Sequence, residues 1–596
     1  MTSPTPHDIL SSVFGYKTFR GEQEEIINDV IAGKSCGGLM PTGSGKSLCY
    51  QIPSLCLEGT GIIISPLIAL MNDQVIALQD LGVKAATIHS GLDFNELQST
   101  LSDLRNGNLD LVYVAPERLV NDAFLDILDD IKIALFAIDE AHCISQWGHD
   151  FRPEYRQVSL LRTRYPNTPC IAVTATADTP TRNDIIERLS LPKLYISGFD
   201  RPNITYDVNI KNNPRAQLLN FLKGRDKNES GIVYCLSRKK VEETAAWLCD
   251  QGYNALPYHA RLNTDVKNRN QDCFIKDEGV IIVATIAFGM GINKPDVRFV
   301  AHMDLPKNIE AYYQETGRAG RDGLPSVAWM VYGLQDIALQ GQMIENSDSP
   351  EEQKRIERQK LSAFLGYCET ATCRRQILLR YFDDDGEPCN NCDRCLRPPK
   401  TFDGSIAAQK MLSCILRTNQ MFGGGHVVDV LLGKTTEKIT KFNHDKLTTY
   451  GIGTEYSAPE WQGLIRQCVA RGLIHVDMDA YNALKMTNVG GDFLREKPPL
   501  NLVILPKSQK NKSTTSASAQ TIFDNEKDQD LFLYLKALRL SIAKENNIPP
   551  YVVFHDKTLA DIVTKKPSNL NAMGNIAGIG QSKLDKYGQI FLDAIA

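Results

Sequence analysis

The sequence predicts an α/β protein in which two tandem parallel-sheet domains are followed by smaller modules, and three observations carry that prediction. Over residues 1–340, short β-branched runs alternate with longer amphipathic stretches, the pattern of βαβ units. Four cysteines crowd into residues 373–395. Beyond residue 525 the apolar side chains fall at helical spacing.

The chain has 596 residues, room for several domains at roughly 100–200 residues each. With 42% apolar and 23% charged residues it has an ordinary globular composition. A formal net charge of −5 excludes a polycation, so any grip on a phosphate backbone has to come from local patches. The start, MTSPTPHDIL, lacks a basic segment followed by an apolar core, and no run of 18 apolar residues occurs. Neither a secretory leader nor a membrane span is therefore expected, and a cytoplasmic location is. Cys36, Cys49, Cys56, Cys170 and Cys249 lie scattered in apolar stretches, which suits small buried hydrophobes in a reducing compartment.

Continuous apolar runs mark buried parallel strands at 61–66, 109–116, 133–139 and 169–176, then at 230–235 and 279–285. A polar stretch near 200–229 separates the two sets, giving a first domain over 1–205 and a second over 206–340. Residues 341–400 turn helical and then cysteine-rich, and 401–505 read as a small α+β segment. Residues 506–524, containing KSQKNKSTTSASAQT, have no apolar period and read as a flexible linker, and 525–596 as a helical end.

Three constellations carry chemistry. PTGSGKS (41–47) follows an apolar stretch and opens a helix-compatible LCYQIP. A glycine-rich turn at a helix start aims backbone N–H groups at a phosphate, with Lys46 as a point charge and Ser47 as a hydroxyl ligand for Mg²⁺. The strict form of that loop has glycine where this chain has Met40, so the short match is weak alone. Asp139 and Glu140 follow a strand about ninety residues later. One carboxylate there can hold Mg²⁺ and its neighbour can orient an attacking water, although an acidic pair is by itself as compatible with a solvated turn. In QETGRAGRDG (314–323), Arg318 and Arg321 sit three apart on one side of a helical turn, either a solvated basic face or donors for a γ-phosphate. Being on the second domain, they would complete a nucleotide clamp only when the two halves close.

The segment 144–155 packs Trp147, His149, Phe151, Arg152 and Tyr155 into nine positions, suited to a loop that stacks on bases or to an aromatic core cluster. Cys373, Cys389, Cys392 and Cys395 give C-x15-C-x2-C-x2-C, four thiolates fit for tetrahedral Zn²⁺; an iron–sulfur cluster is the alternative ligand, and Cys368 competes with Cys373 for the first position. Four protein ligands leave no open position, so such a metal is structural. In 401–505, 11 Lys and Arg balance 10 Asp and Glu, so no basic patch is evident, and a helix near HDKLTTYG (444–451) is open to either a nucleic-acid-binding or a purely structural role. Near the end, Gly578-Ile579-Gly580 has the form of a phosphate-binding backbone nest, and Tyr551, after two prolines, is either a base stacker or a buried aromatic.

GYKTFRGEQ (15–23), MPTGSGKS, SPLIALMNDQ (65–74), DEAH, ISQWGHDFRPEY, VTATA (173–177), ATIAFGMGINKPDV (284–297) and QETGRAGRDG stand in the order found in RecQ-family superfamily-2 helicases, which the chain resembles strongly over its first 400 residues. The resemblance implies two RecA-like domains, a helical zinc-binding module, a winged-helix domain and an all-α HRDC bundle. It implies that Tyr16, Arg20 and Gln23 contact adenine, and that Thr42, Gly43, Ser44, Gly45, Lys46 and Ser47 hold phosphates. Ser47 and Asp139 would bind Mg²⁺, Glu140 would position water, and Arg318 and Arg321 would reach the γ-phosphate. It favours zinc over iron–sulfur, and Cys373, which heads CRRQ, over Cys368. The implied activity is ATP-dependent, 3′→5′ unwinding of duplex or branched DNA in recombination, repair and replication, with the aromatic-rich loop coupling strand contact to hydrolysis. The implied partners are single-strand-binding protein and a type I topoisomerase, in a nucleoid-associated setting. An RNA helicase and a scaffold with a decayed ATP site are the competing readings; the intact Lys46, Asp139, Glu140 and Arg321 set argues against the second.

Overall fold

The computed structural model describes residues 4–145, 152–289, 294–384, 386–477, 483–504, 523 and 525–595. The first lobe is a seven-stranded parallel sheet. Its strands are β1 (Cys36–Leu39), β2 (Thr60–Ile64), β3 (Ala85–Ile88), β4 (Leu111–Val114), β5 (Ile133–Ile138), β6 (Cys170–Thr174) and β7 (Leu194–Ile196). They lie in the order β3-β4-β2-β5-β6-β1-β7, so the chain starts near one side, winds out to the other edge and returns. Every residue of β2, β4 and β6 is buried, because helices cover both faces and leave no polar side to the strand. The expected strands of this lobe are present. β1 carries no β-branched signal (its sequence is CGGL), yet it lies inside the sheet, between β6 and β7, because Gly37 and Gly38 admit side chains from a neighbouring strand and a helix; a Cβ on Gly37 would stand 2.6 Å from Leu194 Cδ1.

The second lobe is a six-stranded parallel sheet of β8 (Ile204–Ile210), β9 (Ser230–Tyr234), β10 (Asn254–Tyr258), β11 (Val280–Ala284), β12 (Val297–His302) and β13 (Ser326–Tyr332), ordered β10-β11-β9-β12-β13-β8. The polar stretch read as a divider thus contains β8. This is an edge strand with alternating burial, which explains its mixed ITYDVNI sequence. The second sheet begins at Ile204, beside the boundary drawn at 205/206.

Past β13 the helices Leu334–Glu345, Glu351–Cys368 and Arg374–Tyr381 share a core with the second lobe, where Phe364, Tyr367 and Phe382 pack with Tyr312 and Tyr313. The module also holds the first lobe. Lys360 pairs with Asp178 (2.8 Å) of the first lobe and with Glu310 (2.6 Å) of the second, and Phe382 stacks on Phe199 at 4.7 Å. Residues 400–504 form a separate helical core around the fully buried Trp461, whose indole N–H donates to Gly453 O at 2.7 Å. The core is completed by the antiparallel pairs β14 (Lys400–Asp403) with β17 (Asn501–Ile504) and β15 (Ile474–Asp477) with β16 (Ala483–Met486). A three-residue 3₁₀ turn, His444–Lys446, lies where a helix was expected near 444–451. A buried polar joint helps tie this domain to the rest, beside the packing of Leu334, Val469 and Ala470: Arg466 pairs with Glu369 (3.2 Å), which also accepts from the hydroxyl of Tyr332 on β13. The chain ends in a helical bundle opened by Glu526–Glu545 and closed by Gln589–Ile595, packed around Phe532, Leu535, Leu559 and Phe591.

Candidate nucleotide and zinc sites

The phosphate loop runs from the end of β1 to the helix Leu48–Cys56. Gly43 and Gly45 both sit at φ +84°, the left-handed region where a side chain would strain the backbone. Gln23 braces the turn: its Nε2 donates to Ser44 O (2.9 Å) and Gly45 O (3.2 Å), while its Oε1 accepts from Arg20 N (2.9 Å). The amide expected on adenine is therefore engaged with the phosphate loop, and Tyr16 and Arg20 line the adjoining pocket of about 180 Å³, Arg20 lying over the Tyr16 ring at 5.9 Å.

Asp139 and Glu140 emerge from β5 onto this loop. Glu140 is held at φ +48°, a conformation that β-carbon residues rarely adopt and that concentrates at functional sites. Its N–H donates to Asp139 Oδ1 (3.0 Å), and the Tyr155 hydroxyl donates to Asp139 O (3.0 Å). Behind them, His142 Nδ1 lies 2.9 Å from Thr174 Oγ1 and 3.3 Å from a Glu140 carboxylate oxygen, linking DEAH to VTATA.

Across the seam, the loop after the helix Ile309–Thr316 brings Arg318 and Arg321 to the same cleft of about 340 Å³, facing Lys46, Ser47, Asp139 and Glu140. The approach is close: a Cβ on Gly43 would stand 3.4 Å from Arg321 Cα. Arg201, which the sequence did not single out, holds the two sides together. Its guanidinium donates to Thr42 O (2.6 Å) on the first lobe and to Gly317 O (3.1 Å), Ala319 O (2.8 Å) and Gly320 O (3.0 Å) on the arginine loop.

The electrostatics are those of a site built around an anion. Burial, then Arg318 and Arg201, pull Arg321 down to about 9. Burial also lowers Lys46, with Glu140 and Asp139 opposing and Arg321 and Arg201 adding to the shift. Asp139 is pushed up to about 7 by burial and by Glu140, against Lys46. Cations crowded out of water in this way are stabilised by a polyanion entering between them.

Of the aromatic-rich loop, Trp147, His149 and Phe151 lie outside the described residues. Tyr155 is fully buried in the first-lobe core, so its ring is taken up by packing and offers no face to a base. Arg152 donates to Pro66 O at 2.7 Å, joining this loop to the SPLIALMNDQ segment. Tyr551 is likewise buried, packed with Val552 against Ile275 of the second lobe, and so departs from the stacking role considered for it. The Gly578–Gly580 nest does not face outward: Gly578 N donates to Gly15 O at 3.0 Å.

The cysteines resolve cleanly. The Sγ atoms of Cys373, Cys389, Cys392 and Cys395 all lie within 4.8 Å of one another, with separations of 3.4 Å (373–389), 4.0 Å (373–392) and 4.0 Å (389–395). A tetrahedron of thiolates on Zn²⁺ has edges of about 3.8 Å, so the cage fits the ion. Backbone N–H groups of Cys389 and Asn391 donate to Cys373 Sγ (3.3 Å) and Cys389 Sγ (3.4 Å), orienting the ligands. Cys368 is buried in the apolar core and outside the group. Arg374 is consumed in packing, bidentate to Asp393 at 2.5 and 2.9 Å and bonded to Tyr367 O.

Five family descriptions match in sequence: DEAD/DEAH box helicase over 20–185, helicase conserved C-terminal domain over 213–323, RecQ zinc-binding over 334–396, RQC domain over 398–511 and HRDC domain over 528–595. The chain is 45% identical to the ATP-dependent DNA helicase RecQ of Haemophilus influenzae, with 99% of this chain and 96% of that protein covered. It is 46% identical to the protein of that name from Pasteurella multocida (99% and 93% covered) and 38% identical to that of Bacillus subtilis (98% and 98%). The order of modules, the seam between two parallel-sheet lobes and the four-cysteine cage agree with these matches along the whole length, and the chain belongs to the RecQ family of ATP-dependent DNA helicases.

Proposed function

We propose that this protein is a motor that spends ATP to move 3′→5′ along single-stranded DNA and to part duplex or branched DNA ahead of it, serving recombination, repair and replication restart. The observation that carries this reading is the seam itself, where Lys46, Asp139 and Glu140 of one lobe face Arg318 and Arg321 of the other and Arg201 spans both. In the mechanism, the loop amides at 42–47 and Lys46 hold the phosphates, and Tyr16 and Arg20 hold the base. Ser47 and Asp139 are the residues fit to hold Mg²⁺, which when bound neutralises charge on the phosphates. Glu140 orients the attacking water and takes up its proton, and Arg318 and Arg321 stabilise the charge on the departing phosphoryl group. Loss of the γ-phosphate removes the anion that bridges the lobes, and the seam relaxes.

Contact with the strand falls to Arg152 and to Trp147, His149 and Phe151, whose loop follows directly on DEAH. Family membership supports the polarity, the nucleoid-associated cytoplasmic setting and the partners, single-strand-binding protein and a type I topoisomerase. Among the described residues no helix is long and apolar enough to cross a membrane. The test is ATPase and unwinding on tailed duplexes with 3′ or 5′ overhangs on DNA or RNA tracks. Unwinding confined to 3′-tailed DNA supports the reading; equal activity on RNA or on 5′ tails overturns it. Arg321→Ala is expected to lower DNA-stimulated kcat about 10³-fold or more, the scale set by arginines that stabilise phosphoryl transfer.

A further inference from the structure

The C-terminal bundle sits on the nucleotide seam and holds both lobes. On the first lobe, Gly578 N donates to Gly15 O (3.0 Å), Lys17 Nζ donates to Asn575 Oδ1 (2.8 Å), and Lys586 pairs with Asp80 (2.9 Å) at the end of the helix Ile68–Asp80. The fit is tight at Gly15, where a Cβ would stand 2.4 Å from Gly580 N. On the second lobe, Glu278 pairs with Arg539 (3.0 Å) and Lys536 (3.4 Å), and Lys276 Nζ donates to Asn547 Oδ1 (3.1 Å).

Between these two attachments the bundle lines both pockets of the seam. His555 lines both the phosphate cleft and the base pocket, and Lys557, Thr558 and Gly578 line the latter opposite Tyr16 and Arg20. Burial and the neighbouring Lys583 pull the His555 imidazole down to about 4, so it is neutral and able to donate or accept. The arginine loop is touched as well: a Cβ on Gly323 would lie 3.9 Å from Lys557 Nζ. Asp322, next to Arg321, pairs with Arg298 at 2.5 Å, and Asp556 of the bundle bears electrostatically on both.

We propose that the C-terminal bundle is the third wall of the nucleotide site, clasped across the two lobes by the Asp80–Lys586 and Glu278–Arg539 pairs so that nucleotide leaves slowly while the bundle is docked. The inference rests on the seam being the nucleotide site. Two attachments on separate bodies act together: once one is made, the other closes at high effective concentration, and breaking either shortens the docked lifetime. The two clasp pairs are ionic, so salt weakens them where it leaves the apolar cores intact, the half-exposed Asp80–Lys586 pair more than the buried Glu278–Arg539 pair.

The experiment follows release of a fluorescent ADP analogue from the full chain after mixing with excess ATP, at low and high salt. Glu278→Gln and Asp80→Asn lie outside the bundle's core and outside the catalytic set, and a thermal melt verifies that each variant folds. The wild type is expected to release the analogue slowly at low salt and faster at high salt. Each variant is expected to release it about five-fold faster at low salt, the scale of one ion pair, with a shallower salt dependence. Wild-type release rates and salt slopes in both variants overturn the clasp. Lys46→Ala separates the two layers of the argument: if it still binds the analogue normally, the nucleotide assignment of the seam falls, whatever the clasp variants show.

Discussion

Arg201 shows what a single side chain contributes that no motif announces. It touches four main-chain carbonyls, Thr42 on one lobe and Gly317, Ala319 and Gly320 on the other, and so sets where Arg318 and Arg321 stand relative to the phosphate loop. Carbonyl acceptors have no residue signature, which is why Arg201 was unreadable in DRPN while Lys46, Asp139 and Glu140 announced themselves by type and spacing. A planar fork is needed to span these acceptors, so Arg201→Lys is expected to fail as Arg201→Ala does. Both variants should lose about 10²-fold in kcat, from a displaced arginine loop, with KM for ATP little changed; steady-state ATPase kinetics check this. Two aromatics show the converse. Tyr155 and Tyr551 each read in sequence as a base stacker or a buried aromatic, because burial decides a ring's use and depends on neighbours far away in sequence, such as Ile275 for Tyr551.

At the scale of elements, strands were legible in proportion to how completely the fold buries them. β2, β4, β5 and β11 are nearly continuous apolar runs because both faces are covered, whereas β1 is built from glycine and β8 alternates as an edge. The zinc module was legible through its ligands, since thiolate spacing is local. Its reach was not, because the side chains that use it come from elsewhere. Lys360 joins Asp178 to Glu310, and Asp384 accepts from Phe199 N at 2.7 Å, so a module far in sequence from the chemistry aligns the lobes that perform it. Stripping the metal with a strong chelator, or Cys392→Ser, is therefore expected to lower DNA-stimulated ATPase along with the melting temperature. Structural zinc sites supply folding energy outright. ATPase that survives full zinc removal, quantified by a colorimetric metal assay, would refute the alignment role.

For the whole molecule, sequence order gave the modules but not how they meet. The segment 506–524, which reads in sequence as a flexible linker, lies almost wholly outside the described residues; the bundle after it rests on both lobes, and the contacts that hold it pair residues 258 or more positions apart, which no local pattern reveals. The winged domain is fixed differently, by the buried Arg466–Glu369 pair and the Tyr332 hydroxyl. Removing one partner of a buried pair costs about 3–5 kcal/mol. Arg466→Ala is thus expected to loosen the domain from the second lobe, and unwinding should fall while DNA-stimulated ATPase persists; parallel helicase and ATPase assays on the same preparation check it. The joint has a mechanical consequence. Because Arg466 is tied through Glu369 to Tyr332 at the end of β13, a rotation of the second lobe carries the domain with it, and parts of the domain far from the joint sweep a longer path than parts beside it.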